Sequence, residues 1–437
     1  MIRPASALAA ILLMTAPAGA ALAPAEQKMT DSVEAGYEPA IALLEKLVNQ
    51  NSGSNNLPGV KAVADMLRPE FEALGFTVTW KPMDAVKRAG HFIATHKGKA
   101  GAKKLLLIGH LDTVFEPDSP FQTFARDGDF ATGPGVADDK GGVVTMLLAL
   151  KAMHAAGTLK SANIEVVLTG DEEDAGDPVE TARADLVAAG KRADVALDFE
   201  GLNVEDGKDM GSIARRSSNS WTVKATGKSG HSSLIFGQEY GDGAIYELAR
   251  IVTAFRKELP EPNLTFNVGL IGGGQSADVD KDGVRIAVTG KTNIIPPVAV
   301  AKGDFRTLSL DQTARVKAKM EAIVAQGSLP GTSASIVFDP GSYPPMAPTD
   351  GNKALLTKLN AINADLGLPE MPALDPLKRG AGDISFVAAD VDGLVGLGVT
   401  STGDHSPAEK ANIASMKRQA KRAAILMSRL SQEKGVK

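Results

Sequence analysis

The feature that most constrains the fold is a repeated pair: an apolar run of strand length, followed at once by acidic residues or a histidine. These runs lie at 105–108, 164–168, 195–197 and 394–399. A continuous apolar run of this length is typical of a strand buried on both faces of a parallel sheet. Helical patterns separate the first three runs, so the order strand, helix, strand predicts an α/β fold.

Other patterns predict the remaining elements. We expect two helices joined by a polar loop within 37–74, a strand at 76–80, and later helices at 143–154, 179–189, 353–365 and 411–430. Between 220 and 325 the pattern changes to alternating strands, with two helices at about 243–259 and 312–325. This change predicts an α+β insert within the α/β chain.

Charge and cysteine content narrow the possible functions. The 437 residues include 47 basic and 52 acidic ones, a net charge of -5, which does not fit a nucleic-acid binder. We therefore expect a small molecule or a peptide as partner. Since the chain has no cysteine, a bound metal would need His, Asp and Glu ligands.

The first residues have the pattern of a leader. Arg3 precedes an apolar run at 7–14, and small residues follow at 18–23. This pattern predicts a cleavable signal peptide at 1–23 and a soluble mature protein without a membrane anchor, in the periplasm or outside the cell. The alternative is a first core helix, although the run is too short to span a membrane.

The polar residues that follow the apolar runs are candidates for one common site. Carboxyl ends of strands in an open α/β sheet lie along one edge, where active sites form. A glycine-rich segment that contains two acidic residues precedes a predicted helix. Its acidic residues can lie at the same edge of the sheet as the strand ends. The candidates are His110, Asp112, Asp138, Asp139, Asp171, Glu172, Glu173, Asp198, Glu200 and His405. Two histidines with several carboxylates and no cysteine favour a two-metal hydrolytic site.

Local spacing supports this interpretation. His110 and Asp112 are two residues apart, so on an extended segment they face the same side and the carboxylate can orient the imidazole. The run Asp171 to Glu173 places three carboxylates together, which repel one another unless a cation is present. The alternative is a helix N-terminus that gathers acidic residues.

Several segments together resemble the co-catalytic zinc exopeptidases, the family of glutamate carboxypeptidase, aminoacylase and acetylornithine deacetylase. The matching segments are 110–114, 133–142, 171–173, 198–200, 227–233 and 403–407. The resemblance runs from about residue 39 to 430. It implies a catalytic domain at 24–211 and 328–437, with a mixed, largely parallel sheet flanked by helices, and an inserted α+β lid and dimerisation domain at 212–327.

The resemblance also implies a ligand set for two Zn²⁺ ions, with Co²⁺ or Mn²⁺ as possible substitutes. Asp138 matches the carboxylate that bridges both ions. His110 and Glu200 match the other ligands of one ion, and Glu173 and His405 match those of the other.

Two catalytic assignments complete the expected site. Glu172 matches the general base, and Asp112, from its spacing to His110, is the carboxylate behind the metal-bound histidine. Asp198 stays an alternative to Glu200 as the ligand, since the two are two residues apart and share a face if the strand continues.

The insert carries the remaining matches. His231 resembles the lid histidine that reaches the partner subunit's active site and stabilises the oxyanion, and the alternative is a hydrated turn residue. Asn293 and Arg306 match positions that contact the substrate carboxylate, with a surface charge as the alternative for Arg306. Gly382 stands where relatives commonly have threonine.

The expected function is therefore a secreted di-zinc metallopeptidase. It would hydrolyse an amide bond in a short peptide or N-acyl amino acid and release a C-terminal amino acid, with glutamate carboxypeptidase as the nearest type. We also expect a homodimer that forms through the lid. The alternatives are an N-acyl amino acid deacylase and a metal- or ligand-binding homologue without catalysis.

Overall fold

A computed structural model describes residues 22–281 and 283–437. The predicted signal peptide lies outside the described residues, apart from Leu22 and Ala23. Within the described part, no helix is both long and apolar enough to cross a membrane. The α-helices there are α1 Pro24–Val48, α2 Leu57–Glu72, α3 Lys140–Ala156, α4 Val179–Ala182, α5 Ala184–Arg192, α6 Ala244–Glu258, α7 Leu310–Ala325, α8 Asp350–Asp365 and α9 Ser415–Leu430.

The strands form two larger sheets and several short pairings. In chain order they are β1 Thr77–Met83, β2 Arg88–His96, β3 Lys104–His110, β4 Ala125–Asp127, β5 Phe130–Thr132, β6 Asn163–Thr169, β7 Val195–Asp198, β8 Val204–Glu205, β9 Lys208–Asp209, β10 Asn219–Gly227, β11 Gly230–His231, β12 Thr265–Gly274, β13 Ser276–Val279, β14 Ile286–Thr289, β15 Ile294–Ile295, β16 Val298–Arg306, β17 Thr332–Phe338, β18 Gly393–Leu394, β19 Thr400–Thr402 and β20 Lys410–Asn412.

The larger sheet has the order β1-β2-β6-β3-β7-β18. Strand β3 is parallel to both β6 and β7, and β18 is parallel to β7. Strand β2, which the sequence did not predict, is antiparallel to β1 and β6. The predicted α/β class with a mixed, largely parallel sheet is confirmed, and the carboxyl ends of β3, β6 and β7 meet at one edge.

Both faces of this sheet are covered, which explains the continuous apolar runs. Leu105 and Leu107 of β3 belong to the core that includes α1, α3 and α9. Leu106 and Ile108 point to the other face and pack in a second core with α5. Alternate side chains of one strand therefore enter two different cores.

The second sheet is antiparallel, with the order β12-β16-β10-β17, and α6 and α7 contribute to its core. Trp221 and Phe255 pack edge to face at its centre, with ring centroids 5.4 Å apart. Strand β17 pairs with β10 along its whole length, so this sheet extends beyond residue 327.

Two predicted elements differ from the structure near the site. The expected strand at 394–399 is limited to Gly393–Leu394, because Gly396 has a φ of 85° and turns the chain out of extended geometry. The expected helix at 179–189 divides into α4 and α5 at Arg183. His405 therefore follows the short strand β19 rather than a long one.

A partly buried charge cluster links α9 to the β8–β9 pair. Asp209, at the end of β9, accepts hydrogen bonds from Arg418 Nε at 2.8 Å and from Arg422 Nη1 at 2.6 Å. Burial opposes the charge on Asp209, yet these hydrogen bonds hold its pKa below the ordinary value. The Arg422 guanidinium is buried, so removal of the carboxylate leaves a buried charge without its partner.

We predict that Asp209→Asn lowers the free energy of unfolding at pH 7 by about 3 kcal/mol. Because the folded-state pKa is depressed, this stabilisation is present above about pH 4 and is lost as the pH falls through the folded-state pKa. Thermal unfolding of both proteins across this pH range measures it. Asp65→Asn is the control, since Asp65 pairs with Lys61 in an exposed contact and should contribute less than about 1 kcal/mol. A constant difference between wild type and Asp209→Asn down to low pH would contradict the prediction.

Candidate metal centre

Four of the predicted ligands lie in direct contact. His110 ends β3, and its Nε2 atom is 3.0 Å from Oδ1 of Asp138. His405 Nε2 is 3.0 Å from the other oxygen of Asp138, Oδ2, and 3.1 Å from Oε2 of Glu173. Asp138 thus offers one oxygen to each imidazole. Ligand atoms of His110, Asp138 and Glu173 all lie within 4.8 Å of one another.

The contacts shift the protonation of these groups. Burial opposes the charge on Asp138, but hydrogen bonds from His110 and His405 hold its pKa well below the usual range. Hydrogen bonds to Asp138 and Glu173 raise the pKa of His405 to about 11. Burial lowers the pKa of His110, but its hydrogen bonds to Asp112 and Asp138 outweigh burial and raise it well above the usual value. A metal ion binds the neutral imidazole, so binding at these nitrogens would release protons.

The loop that carries Asp138 is held by a residue that the sequence did not single out. The buried carboxylate of Glu409 accepts the backbone N–H groups of Gly135 at 3.1 Å, Ala137 at 3.0 Å and Asp138 at 3.2 Å. The peptide bond between Asp138 and Asp139 is cis, and α3 begins at the next residue. Glu409 follows His405 by four residues, so one short segment carries a candidate ligand and fixes the loop of another.

Asp112 contacts a neighbouring loop as well as His110, the histidine that it was predicted to orient. Its Oδ1 atom lies 3.3 Å from Nδ1 of His110, and its Oδ2 accepts the hydroxyl of Ser54 at 2.6 Å. The same carboxylate accepts the backbone N–H groups of Glu172 at 3.0 Å and Glu173 at 3.1 Å. This buried side chain therefore orients the imidazole and the loop after β6 together.

Glu172 lies on that loop beside the candidate ligands. Burial raises the pKa of its carboxyl well above the ordinary value; the charge of His110 opposes this shift, and the charge of Glu200 adds to it. A carboxyl group with a raised pKa can accept and donate a proton near neutral pH. The position and the shift both suit the general base that the resemblance implies.

Glu200 is paired with arginines rather than with the histidines. It forms a short ion pair with Arg215, and Arg379 Nη2 lies 3.5 Å from its Oε2. Asp198 is buried; its Oδ2 has no hydrogen-bond partner within the described residues, and burial raises its pKa to about 8. The sequence did not predict that Arg215 and Arg379 pair with Glu200, because each arginine lies on a different segment of the chain from Glu200.

The pairing of Arg215 with Glu200 gives a steric reason for glycine at position 382. A Cβ atom at this position would lie 2.3 Å from Nη1 of Arg215 and 2.6 Å from Oε1 of Glu200. A threonine here would displace the ion pair of Arg215 with Glu200.

The predicted substrate residues of the insert lie in two places. Strand β11 pairs with β15, and the Ser232 amide donates to the Asn293 carbonyl at 2.9 Å, which brings His231 near Asn293. The His231 ring contacts the Ser233 hydroxyl at 2.8 Å, and its side chain is exposed. Arg306 ends β16 and lies close to Gly380, since a Cβ there would be 3.5 Å from its Nη1.

The donor set fits a pair of divalent metal ions. Two imidazoles contact Asp138, one at each of its oxygens, and Glu173 offers a further carboxylate within 4.8 Å of the ligand atoms of His110 and Asp138. Carboxylate and imidazole ligands without thiolates suit zinc, cobalt or manganese. The buried Oδ2 of Asp198, which has no hydrogen bond among the described residues and lies 3.8 Å from Arg215 Nη1, is a further candidate oxygen.

We predict that Glu409→Ala weakens metal binding by on the order of 10- to 100-fold, because the Asp138 loop loses the acceptor that fixes it. Competition with a chromogenic chelator measures the affinity of the purified protein. Glu433→Ala is the matched control, since among the described residues the Glu433 carboxylate pairs with Lys103 and Lys358, away from the candidate ligands. Equal metal affinity in the two variants would show that Glu409 does not support the site.

Comparisons with known proteins agree with the geometry. The model of Peptidase family M20/M25/M40 matches residues 106–429. Carboxypeptidase G2 of Pseudomonas sp. (strain RS-16) is 28% identical over 431 residues, which cover 97% of this chain and 97% of that protein. A succinyl-diaminopimelate desuccinylase of Novosphingobium aromaticivorans is 31% identical over 201 residues, or 44% of this chain and 51% of that protein.

A solved structure has the same fold. It is a dinuclear metal-binding M20 peptidase from Bacillus subtilis, with a TM-score of 0.64 and 15% identity, and the match covers 91% of this chain and 99% of that one. The resemblance drawn from the sequence motifs is thereby confirmed. The chain belongs to Peptidase family M20/M25/M40 and is a hydrolase of the metallopeptidase class.

Proposed function

We propose that this protein is a secreted di-zinc exopeptidase that releases the C-terminal amino acid from a short peptide or an N-acyl amino acid. The observation that carries the proposal is the position of Asp138 between His110 and His405, with Glu172 on the neighbouring loop. The full-length similarity to carboxypeptidase G2 supports a carboxypeptidase reaction.

The proposed ligands divide into two sets that share Asp138. His110 and Glu200 complete one set, and Glu173 and His405 complete the other. The contacts around Asp138 support four of these five assignments. Glu200 would have to exchange Arg215 for the metal, and Asp198 remains the alternative in this position. When bound, the zinc pair would supply Lewis acidity, which polarises the scissile carbonyl and lowers the pKa of water.

Glu172 would move the proton in the reaction. Its carboxylate takes a proton from the attacking water as the oxygen bonds to the scissile carbonyl carbon. The C–N bond then breaks, and Glu172 delivers the same proton to the leaving nitrogen. Asp112 supports this role because it holds the backbone N–H of Glu172.

Polar side chains of the insert would bind the substrate's carboxylate. We assign Arg306 and Asn293 to this group, because a guanidinium fork and a side-chain amide both bind carboxylates well. Arg306 lies beside Gly380, which follows Arg379 in the chain, and this position supports the assignment of Arg306. The partial similarity to a desuccinylase favours an N-acyl amino acid as the second substrate class.

Two further parts of the proposal concern assembly and location. Exposed apolar side chains on and near α6, among them Leu234, Phe236, Ile245 and Tyr246, support a homodimer in which His231 would serve the partner's site. Sedimentation that finds only monomers at micromolar concentration would contradict the dimer. The sequence pattern of residues 1–23 supports export, and N-terminal sequencing of the secreted protein tests it.

We predict that Glu172→Gln keeps normal metal content while kcat falls at least on the order of 100-fold, because the amide cannot accept the proton. The assay uses zinc-loaded protein and a panel of dipeptides and N-acetyl amino acids, which also identifies the substrate class. The neighbouring variant Glu173→Gln is the control, and it should lose metal as well as activity.

The two variants separate the possible errors. Loss of metal in Glu172→Gln with normal metal in Glu173→Gln would show that the two roles are exchanged. A fully active Glu172→Gln would reject Glu172 as the base. A wild-type protein that binds zinc but cleaves no member of the panel would contradict the proposed reaction.

A further inference from the structure

The peptide group between Glu172 and Glu173 is held at both of its polar atoms. The Tyr343 hydroxyl donates to the Glu172 carbonyl oxygen at 2.9 Å. At the other end of the same peptide, the Glu173 N–H donates to Asp112 at 3.1 Å. Two hydrogen bonds on opposite sides fix the rotation of this peptide plane. The side chains of Glu172 and Glu173 therefore leave the backbone in fixed directions.

Tyr343 is itself oriented by a buried arginine. Arg183 Nη2 donates to the Tyr343 oxygen at 2.9 Å, so the phenolic hydrogen is left to donate to Glu172. The guanidinium also lies beside the rings of Tyr343 and Phe386, whose centroids are 5.8 and 5.6 Å from its Cζ atom. The direction of the tyrosine hydroxyl thus depends on Arg183.

Arg183 is fixed in turn by two buried carboxylates. Its Nη1 donates to Asp171 at 2.7 Å, and its Nε donates to Asp383 at 2.7 Å. The second oxygen of Asp383 accepts the Thr169 hydroxyl at 2.5 Å. Burial of such a cluster carries a large desolvation cost, and well-packed apolar residues often stabilise a fold as well or better. Its position directly behind the Glu172 loop suggests a role in geometry.

We propose that Tyr343 and Arg183 are positioning residues, which fix the Glu172–Glu173 peptide and so direct the Glu172 carboxylate at the attacking water. This inference rests on the proposed role of Glu172 as the base. Tyr343 lies on the segment that returns from the second sheet, where its backbone pairs with Ser218 at 2.9 and 3.0 Å. The base is thus tied to the connection between the two sheets.

The test is Tyr343→Phe in the full-length, zinc-loaded protein. It removes the donor to Glu172 and keeps the ring, so we expect kcat to fall on the order of 10-fold with KM and metal content unchanged. Hydrogen exchange of peptides that cover 170–176 should become faster, and this readout does not require activity. A purely structural role would lower the Tm and leave the kcat of the metal-loaded protein unchanged.

Tyr37→Phe is the matched control. The Tyr37 hydroxyl is buried without a hydrogen-bond partner among the described residues, so its removal should change neither kcat nor exchange at 170–176. A second variant, Arg183→Lys, keeps the charge and loses the planar fork. Its effect on kcat should combine with that of Tyr343→Phe less than additively, because both act on one contact chain.

The outcomes separate this inference from the proposed function. Unchanged kcat and exchange in Tyr343→Phe, alongside an inactive Glu172→Gln, would overturn the positioning role and leave the base in place. Additive effects of the two variants would overturn the action of Arg183 through Tyr343. An active Glu172→Gln variant would show that Glu172 is not the base. The proposed positioning role would then be rejected together with the proposed function.

Discussion

The gathering of carboxylates at one edge of the larger sheet is the constraint on which the rest of the site depends. Asp138, Glu172, Glu173 and Glu200 come from two loops and from the segment that follows β7, and like charges at this density repel one another. They are compensated in different ways: Asp138 by two imidazoles, Glu173 by His405, and Glu200 by two arginines, while burial raises the pKa of Glu172. The arrangement supports a cation site because a divalent ion would satisfy several of these charges together.

A second layer of buried polar residues fixes that edge. Glu409 holds the loop of Asp138, and Asp112 holds the amide groups of the loop after β6. Arg183 and Tyr343 meet the same loop from the opposite side. Catalytic geometry depends on such supporting contacts as much as on the ligands, because a displacement of about 1 Å can lower a rate by on the order of 100-fold.

The sequence predicted the strands that are buried on both faces, because β3, β6 and β7 appear as unbroken apolar runs. It did not predict β2, whose run includes Arg88, His91 and His96 and so lacks a clear apolar pattern. The strand expected at 394–399 was too long, since a positive φ at Gly396 is not visible in hydropathy.

The candidate site, like the fold, contains residues that the sequence predicted and residues that it did not. Residues next to strand ends were found from the sequence, and the structure brings His110, Asp138, Glu173 and His405 together. Apart from Asp112, the supporting partners were missed because the contacts are distant in sequence: Glu409 is 272 residues from Ala137, and Tyr343 is 171 residues from Glu172. No local spacing encodes such pairs, so only the folded chain identifies them.

We propose that Asp138 joins two metal sites. Anomalous diffraction at the zinc edge, from crystals grown with Zn²⁺, tests this bridging role. We expect two peaks, one beside His110 and one beside Glu173 and His405, with an Asp138 oxygen bound to each. A single peak, or two peaks of which one lacks Asp138 as a ligand, would contradict the bridging role.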